Sequence, residues 1–218
     1  MAKEKNINIE KALDDDARIE LFFSKHWKKV VAGVVAVVVI AAAVYSVFYL
    51  KEQRIKEATM ALASAEVKDL SALLAENPDV PGAGFAHLRL ACHLMNEKKY
   101  DEAAANFQAF ADDPAAPVEL TVNARFSAAA CKENAGKPQE ALNIYLAMFN
   151  DPTLTPVLHN QAAFHAGRLY LAKKDKAKAK EILGSAANVK SVANELDPAA
   201  SSAAHWQMAC KLLLDSID

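Results

Sequence analysis

Glycine is scarce here, six residues in 218. Alanine is abundant, and it loses no side-chain entropy in a helix. β-Branched residues form runs in one place only, 30–40. Both features favour helix over strand, and the expected class is all-α. Cysteine is equally sparse: Cys92, Cys131 and Cys210, odd in number and without a C-x-x-C pair. That is no disulfide framework; three small buried apolar side chains inside helices is the expected role.

Chemical motifs are missing too. There is no nucleophile elbow, P-loop, dinucleotide fingerprint or H-E-x-x-H. His87 with His93, and His159 with His165, are six residues apart, which places each pair on opposite sides of a helix and suits no common metal. The expectation is a chain that is not an enzyme, with no cofactor, no metal and no small-molecule substrate. The net charge of -2 gives no footprint for nucleic acid.

Charge is also absent from one long stretch. Residues 30–50, VVAGVVAVVVIAAAVYSVFYL, carry none. As a helix they span roughly 31 Å, near the thickness of a bilayer core. Trp27 stands before the run, and Tyr45, Phe48 and Tyr49 stand near its end, as interfacial aromatics do. The region before it is long, and no small-x-small cleavage site follows Leu50. These features predict an uncleaved signal anchor over 30–50, with residues 1–29 as a short cytoplasmic tail and 51–218 on the far side. The flanking charge is a small bias: Arg18, Lys25, Lys28 and Lys29 before the run, Lys51, Arg54 and Lys56 after it. In the tail, Ile9, Leu13, Ala17 and Leu21 recur every four residues. Both an amphipathic helix and a solvated tail fit that pattern.

The rest of the chain repeats. Ala103, Ala141 and Ala179 lie 38 residues apart, each followed four residues on by Phe107, Tyr145 or Leu183. Leu90-Ala91, Ala128-Ala129 and Ala166-Gly167 precede them in register, small enough for close helix approach. Asp113-Pro114 and Asp151-Pro152 stop a helix at the same interval. Small residues in a first helix, a short turn, then Ala and a large apolar residue in a second form a tetratricopeptide-type pattern, whose usual period is about 34 residues. The links here are longer. The bulky aromatic near the start of the first helix is missing.

The expected layout is a lead helix 51–77, repeats at about 82–114, 118–152 and 156–188, and a capping helix 199–216. In the lead helix Ala58, Leu62, Ala65, Leu70, Leu73 and Leu74 supply the inward face. In the cap Trp206, Met208, Leu212 and Leu213 are available to cover the last repeat, since a solenoid needs its ends closed. The basic run Lys173–Lys180 reads as a solvated turn and helix face, with anionic headgroups or an acidic partner as the second reading.

Such domains bind peptides along the face lined by the first helix of each repeat. The register assigns Leu88, Cys92 and Asn96, then Asn123, Phe126 and Asn134, then Gln161, Phe164 and Arg168 to that surface. Amides and one Arg among apolar residues suit recognition of an extended segment.

The charged tail with Phe22-Phe23, the basic step into one anchor, the degenerate repeats and the last helix ending Leu-Leu-Leu-Asp-Ser-Ile resemble the YfgM-type ancillary subunit of the bacterial SecYEG translocon. The resemblance covers the full length and rests on layout and tail more than on a strict motif. It implies an inner-membrane protein with a cytoplasmic N-terminus. It also implies a periplasmic domain whose partners are translocon subunits, periplasmic chaperones or emerging polypeptides. The longer links and the Val/Ala-rich anchor depart from that pattern. A scaffold for another envelope assembly, such as division or appendage machinery, is the alternative function.

Overall fold

The computed structural model describes residues 15–187 and 198–217. The first part of the tail pattern, with Ile9 and Leu13, lies outside them. Helices and the turns between them account for the described residues, with no strand among them. The chain divides into two units, Met1–Glu57 and Ala58–Asp218.

Helix α1 (Asp15–Ser64) supplies the described part of the first unit and enters the second. It is long and apolar enough to cross a membrane, with a window of mean hydropathy 2.7 and none of that window buried. Val31, Val38, Ile40 and Phe48 all point outward. The Ser46 hydroxyl donates to the Ala42 carbonyl at 2.8 Å, so it brings no unpaired polar group into the run.

In the second unit the expected single lead helix is broken. α1 ends at Ser64, a 3-10 turn covers Val67–Asp69, and α2 (Leu70–Glu76) follows. An unbroken helix would place Leu62 and Leu74 about 120° apart around its axis. The break instead brings Leu62, Leu70 and Leu74 into one core with Leu90 and Phe107. The carbonyls freed at the end of α1 are taken by Arg89, which donates to Leu62 (3.1 Å), Ala63 (3.3 Å) and Ala65 (2.8 Å).

Three helix pairs follow: α3 (Ala83–Asn96) with α4 (Tyr100–Ala111), α5 (Val118–Asn134) with α6 (Pro138–Phe149), and α7 (Pro156–Ala172) with α8 (Lys176–Ala187). α9 (Pro198–Asp215) packs on both α7 and α8. Each helix from α3 to α9 packs on the next. α4, α6 and α8 start 38 residues apart, and Ala103, Ala141 and Ala179 each fall on the fourth residue with no exposure at all.

The turns within the pairs repeat at the same interval. Lys98 (φ 61°), Gly136 (φ 74°) and Lys174 (φ 62°) are left-handed. The amide after each donates back to Leu94, Lys132 or Tyr170 at 2.9 Å, and the turn residue itself donates to Met95, Glu133 or Leu171. This is the paired Schellman closure that satisfies the last carbonyls of a helix. The links between pairs repeat too: the Asp113 and Asp151 carboxylates accept the amides of Ala115 (2.8 Å) and Thr153 (3.0 Å).

The inward face of α9 differs from the expected one. On α9 Ala203 and Cys210 are buried, as is Ile217 in the turn after it, and Trp206 and Leu213 are half-buried, whereas Met208 and Leu212 are exposed. The buried set recurs at helical spacing, and Leu212 falls about 180° from Ala203.

Candidate functional site

All nine residues expected on the binding face lie on the first helix of a pair. Phe126 and Phe164 are equivalent positions one 38-residue repeat apart, with Leu88 one repeat earlier; all three are half-buried. Leu88 packs against the core of the first pair. Gln161 and Arg168 are half-buried, while Cys92, Asn96, Asn123 and Asn134 are exposed. Cys92 is thus not buried as expected, unlike Cys131 and Cys210, because it lies on the outward side of α3.

Phe126, Phe164 and Arg168 meet a group of residues from other helices or other registers. The His165 ring stacks on Tyr145 at 4.9 Å and 15°. Phe126 lies 6.2 Å from His165 and 6.1 Å from Tyr145. Trp206 of α9 stands 5.6 Å from Phe164 and 5.7 Å from His165. α5, α6, α7 and α9 thus build one aromatic surface. Its small neighbours on α7, Ala162, Ala163, Ala166 and Gly167, are buried and let the helices approach closely.

A polar pair borders the rings. Arg168 donates to the Glu133 carboxylate across α7 and α5, and the Tyr145 hydroxyl donates to the same oxygen at 2.9 Å. Arg168 Nη2 also lies 3.4 Å from His165 Nδ1. A guanidinium can only donate, which assigns His165 Nδ1 as acceptor and its proton to Nε2. Burial, and next the Arg168 charge, hold the His165 pKa below its ordinary value. Burial and the Glu133 charge push the Tyr145 hydroxyl well above the tyrosine range.

Glu133, Tyr145, His165 and Trp206 were not among the expected binding residues. Tyr145 stands four residues after a marker alanine, which assigned it to packing. His165 pairs in sequence only with His159, whose Nε2 instead meets the Asp151 carbonyl at 2.5 Å. The Glu133–Arg168 separation of 35 residues is the repeat less one helical turn, a signal that pairing by period can find.

The group presents ring faces and a neutralised ion pair. Among the described residues no three His, Cys, Asp or Glu side chains converge for a metal. Burial pushes the Cys210 thiol up to about 11 and raises Cys131 as well, which keeps both unreactive. No family model, no curated protein and no solved structure matches the chain.

Proposed function

We propose that this chain is a non-catalytic, membrane-anchored protein-interaction module with a tetratricopeptide-like repeat domain. Its binding face is the aromatic surface of Phe126, Phe164, His165 and Trp206, with Gln161, Asn123 and the Leu88–Cys92–Asn96 side of α3 extending it. The observation that carries this reading is the half-burial of those rings on the alternate helices α5, α7 and α9. Aromatic side chains held rigid by neighbours, yet open on one side, are the usual anchors of protein recognition. The 38-residue spacing of like helices supports the solenoid reading, since stacked pairs offer one extended face to a chain segment.

The apolar window of α1, long enough to cross a membrane, supports anchoring of this module in a bilayer. On the resemblance to the translocon subunit, the membrane is the bacterial inner membrane, the N-terminus is cytoplasmic and the repeat domain periplasmic. The partners are then translocon subunits, periplasmic chaperones or emerging polypeptides.

A photo-crosslinking residue at Phe164 or Phe126, in the full-length protein in native membranes, tests the reading. Adducts with those partners are expected, and a Phe126→Ala/Phe164→Ala variant should reduce their co-purification by about tenfold or more. Adducts with none of the three partner classes would sink the assignment. A reporter fused after residue 218 that works only in the cytoplasm would reverse the topology.

A further inference from the structure

Lysine is segregated along the helix pairs, on an edge where Glu97, Asp101, Glu140 and Asp175 pair with Lys99, Lys132, Lys137 and Lys178. Every lysine between residues 77 and 187 lies in one of the three turns 97–99, 135–137 and 173–175, or within two helical turns of one. Contacts show that these turns lie side by side. Asp101 beside the first turn accepts Lys132 (3.2 Å) and Lys137 (2.7 Å) from the second, and Lys173 of the third donates to Gln139. The links at the opposite ends of the helices carry Asp79, Asp112, Asp113, Glu119 and Asp151, with Arg125 as their basic residue, paired to Asp151 at 3.6 Å.

Lys98 and Lys174 occupy the left-handed position that Gly136 fills in the middle pair. Both are exposed, and neither makes an ion pair among the described residues. A side chain at that position has a steric cost that glycine avoids, and here it projects an ammonium from the tip of the turn.

We infer that this lysine edge docks on an anionic lipid surface. The inference rests on residues 30–50 being a membrane anchor. Lys98 and Lys174 stand outside those ion pairs as point charges at the tips of the first and third turns, which suits diffuse attraction to headgroup phosphates. The acidic edge is repelled by the same surface, so the two edges together set which end of the helix pairs meets the lipid. Each lysine that reaches the headgroup layer strengthens the contact about fivefold, and salt weakens it.

The test uses full-length protein in nanodiscs with headgroup-quencher lipids. An environment-sensitive dye is placed at Ala172→Cys on the lysine edge, or at Ala115→Cys on the acidic edge, each with Cys92→Ser. Phosphatidylcholine discs are compared with discs holding about one third phosphatidylglycerol. Quenching at 172 should rise roughly threefold or more with the anionic lipid, reverse at about 0.5 M salt, and vanish with Lys98→Glu/Lys174→Glu; the dye at 115 should not respond. Equal quenching at 172 in both lipids overturns the inference, as does an equal response at 115. A response at 172 to a soluble acidic polypeptide in phosphatidylcholine discs, without a response to the anionic lipid, assigns the edge to an acidic protein instead. Failure of the chain to enter discs is read separately, by co-purification with lipid. That outcome removes the anchor reading and this inference with it.

Discussion

Arg168 and Glu133 join α7 to α5 through a single carboxylate oxygen, and that oxygen also accepts the Tyr145 hydroxyl from α6. One acceptor therefore ties three helices beneath the aromatic surface. Tyr145 is 2% exposed, and the Glu133 side chain only 18%, so neither finds water easily if its partner is removed. Glu133→Ala should lower stability by about 1–3 kcal/mol, because it strands a buried hydroxyl and half-frees Arg168. Tyr145→Phe keeps the ring and should cost about 1 kcal/mol. Chemical denaturation of both variants and their double mutant measures the coupling. The double mutant should lose less than the two losses added, and strict additivity would mean the shared oxygen is unimportant.

His165 makes the same region sensitive to mild acid. Glu133 on α5 favours its protonation, Arg168 on its own helix opposes it, and the uncharged faces of Tyr145 and Trp206 enclose it; the net direction of its pKa is down. In the unfolded chain the ring takes a proton near its ordinary value of 6.5. Folding resists that proton, so this contribution is whole above about pH 6.5 and is lost as pH falls toward the depressed folded value. The lowered carboxyl groups of Asp101 and Asp151 act in a separate window, below the ordinary Asp value of 3.8. Thermal melts between pH 8 and 5 should show a falling midpoint, and His165→Phe should flatten that slope. A His165→Phe profile parallel to the parent places the acid sensitivity elsewhere.

Composition and period made different parts of this protein legible. Helical class follows from scarce glycine and abundant alanine, and the exposed apolar helix from twenty-one residues without charge. Phe126, Phe164 and Arg168 could be placed on one face because a 38-residue register transfers positions between helices. Their partners could not be found that way, since Tyr145 and Trp206 come from helices the register assigns to packing and capping. The break after Ser64 was hidden because both its sides are good helix formers. Its cause is tertiary: the shared burial of Leu62 with Leu70 and Leu74, and the grip of Arg89 on the loose carbonyls. Met208 and Leu212 are apolar yet lie on the solvent side of α9, which composition without helical phase does not reveal.

The three Schellman turns allow the same substitution to be compared in opposite directions. Lys98 and Lys174 hold φ near +60°, a conformation that disfavours any side chain by roughly 1–2 kcal/mol. Part of what glycine gains there is offset by the greater freedom it gives the unfolded chain. Lys98→Gly and Lys174→Gly should each stabilise the domain by about 0.5–1 kcal/mol, and Gly136→Ala should destabilise it by about 1 kcal/mol. Thermal melts at high salt, where lost lysine charge matters least, read the backbone effect alone. A destabilised Lys98→Gly would mean that its side chain makes contacts worth more than the strain.

Gly167 tests how tightly the third pair is packed. A Cβ built there would lie 2.6 Å from both Cγ and Cδ2 of Leu183, a side chain with no exposure. Because Cγ is involved, rotating the end of the leucine does not clear the clash, and α7 or α8 must shift. Such overpacking typically costs about 1–3 kcal/mol. Gly167→Ala should therefore lower the denaturation midpoint, even though alanine is the better helix former by about 1 kcal/mol. By contrast, Gly184→Ala on α8 meets no atom within 4 Å and should be neutral or stabilising. The aromatic surface depends on α7 keeping its place, so Gly167→Ala should also weaken crosslinking from Phe164 while leaving the positions on α3 unchanged. Retained stability in Gly167→Ala would show that α7 and α8 have room to part, and that the small residue is not what fixes their spacing.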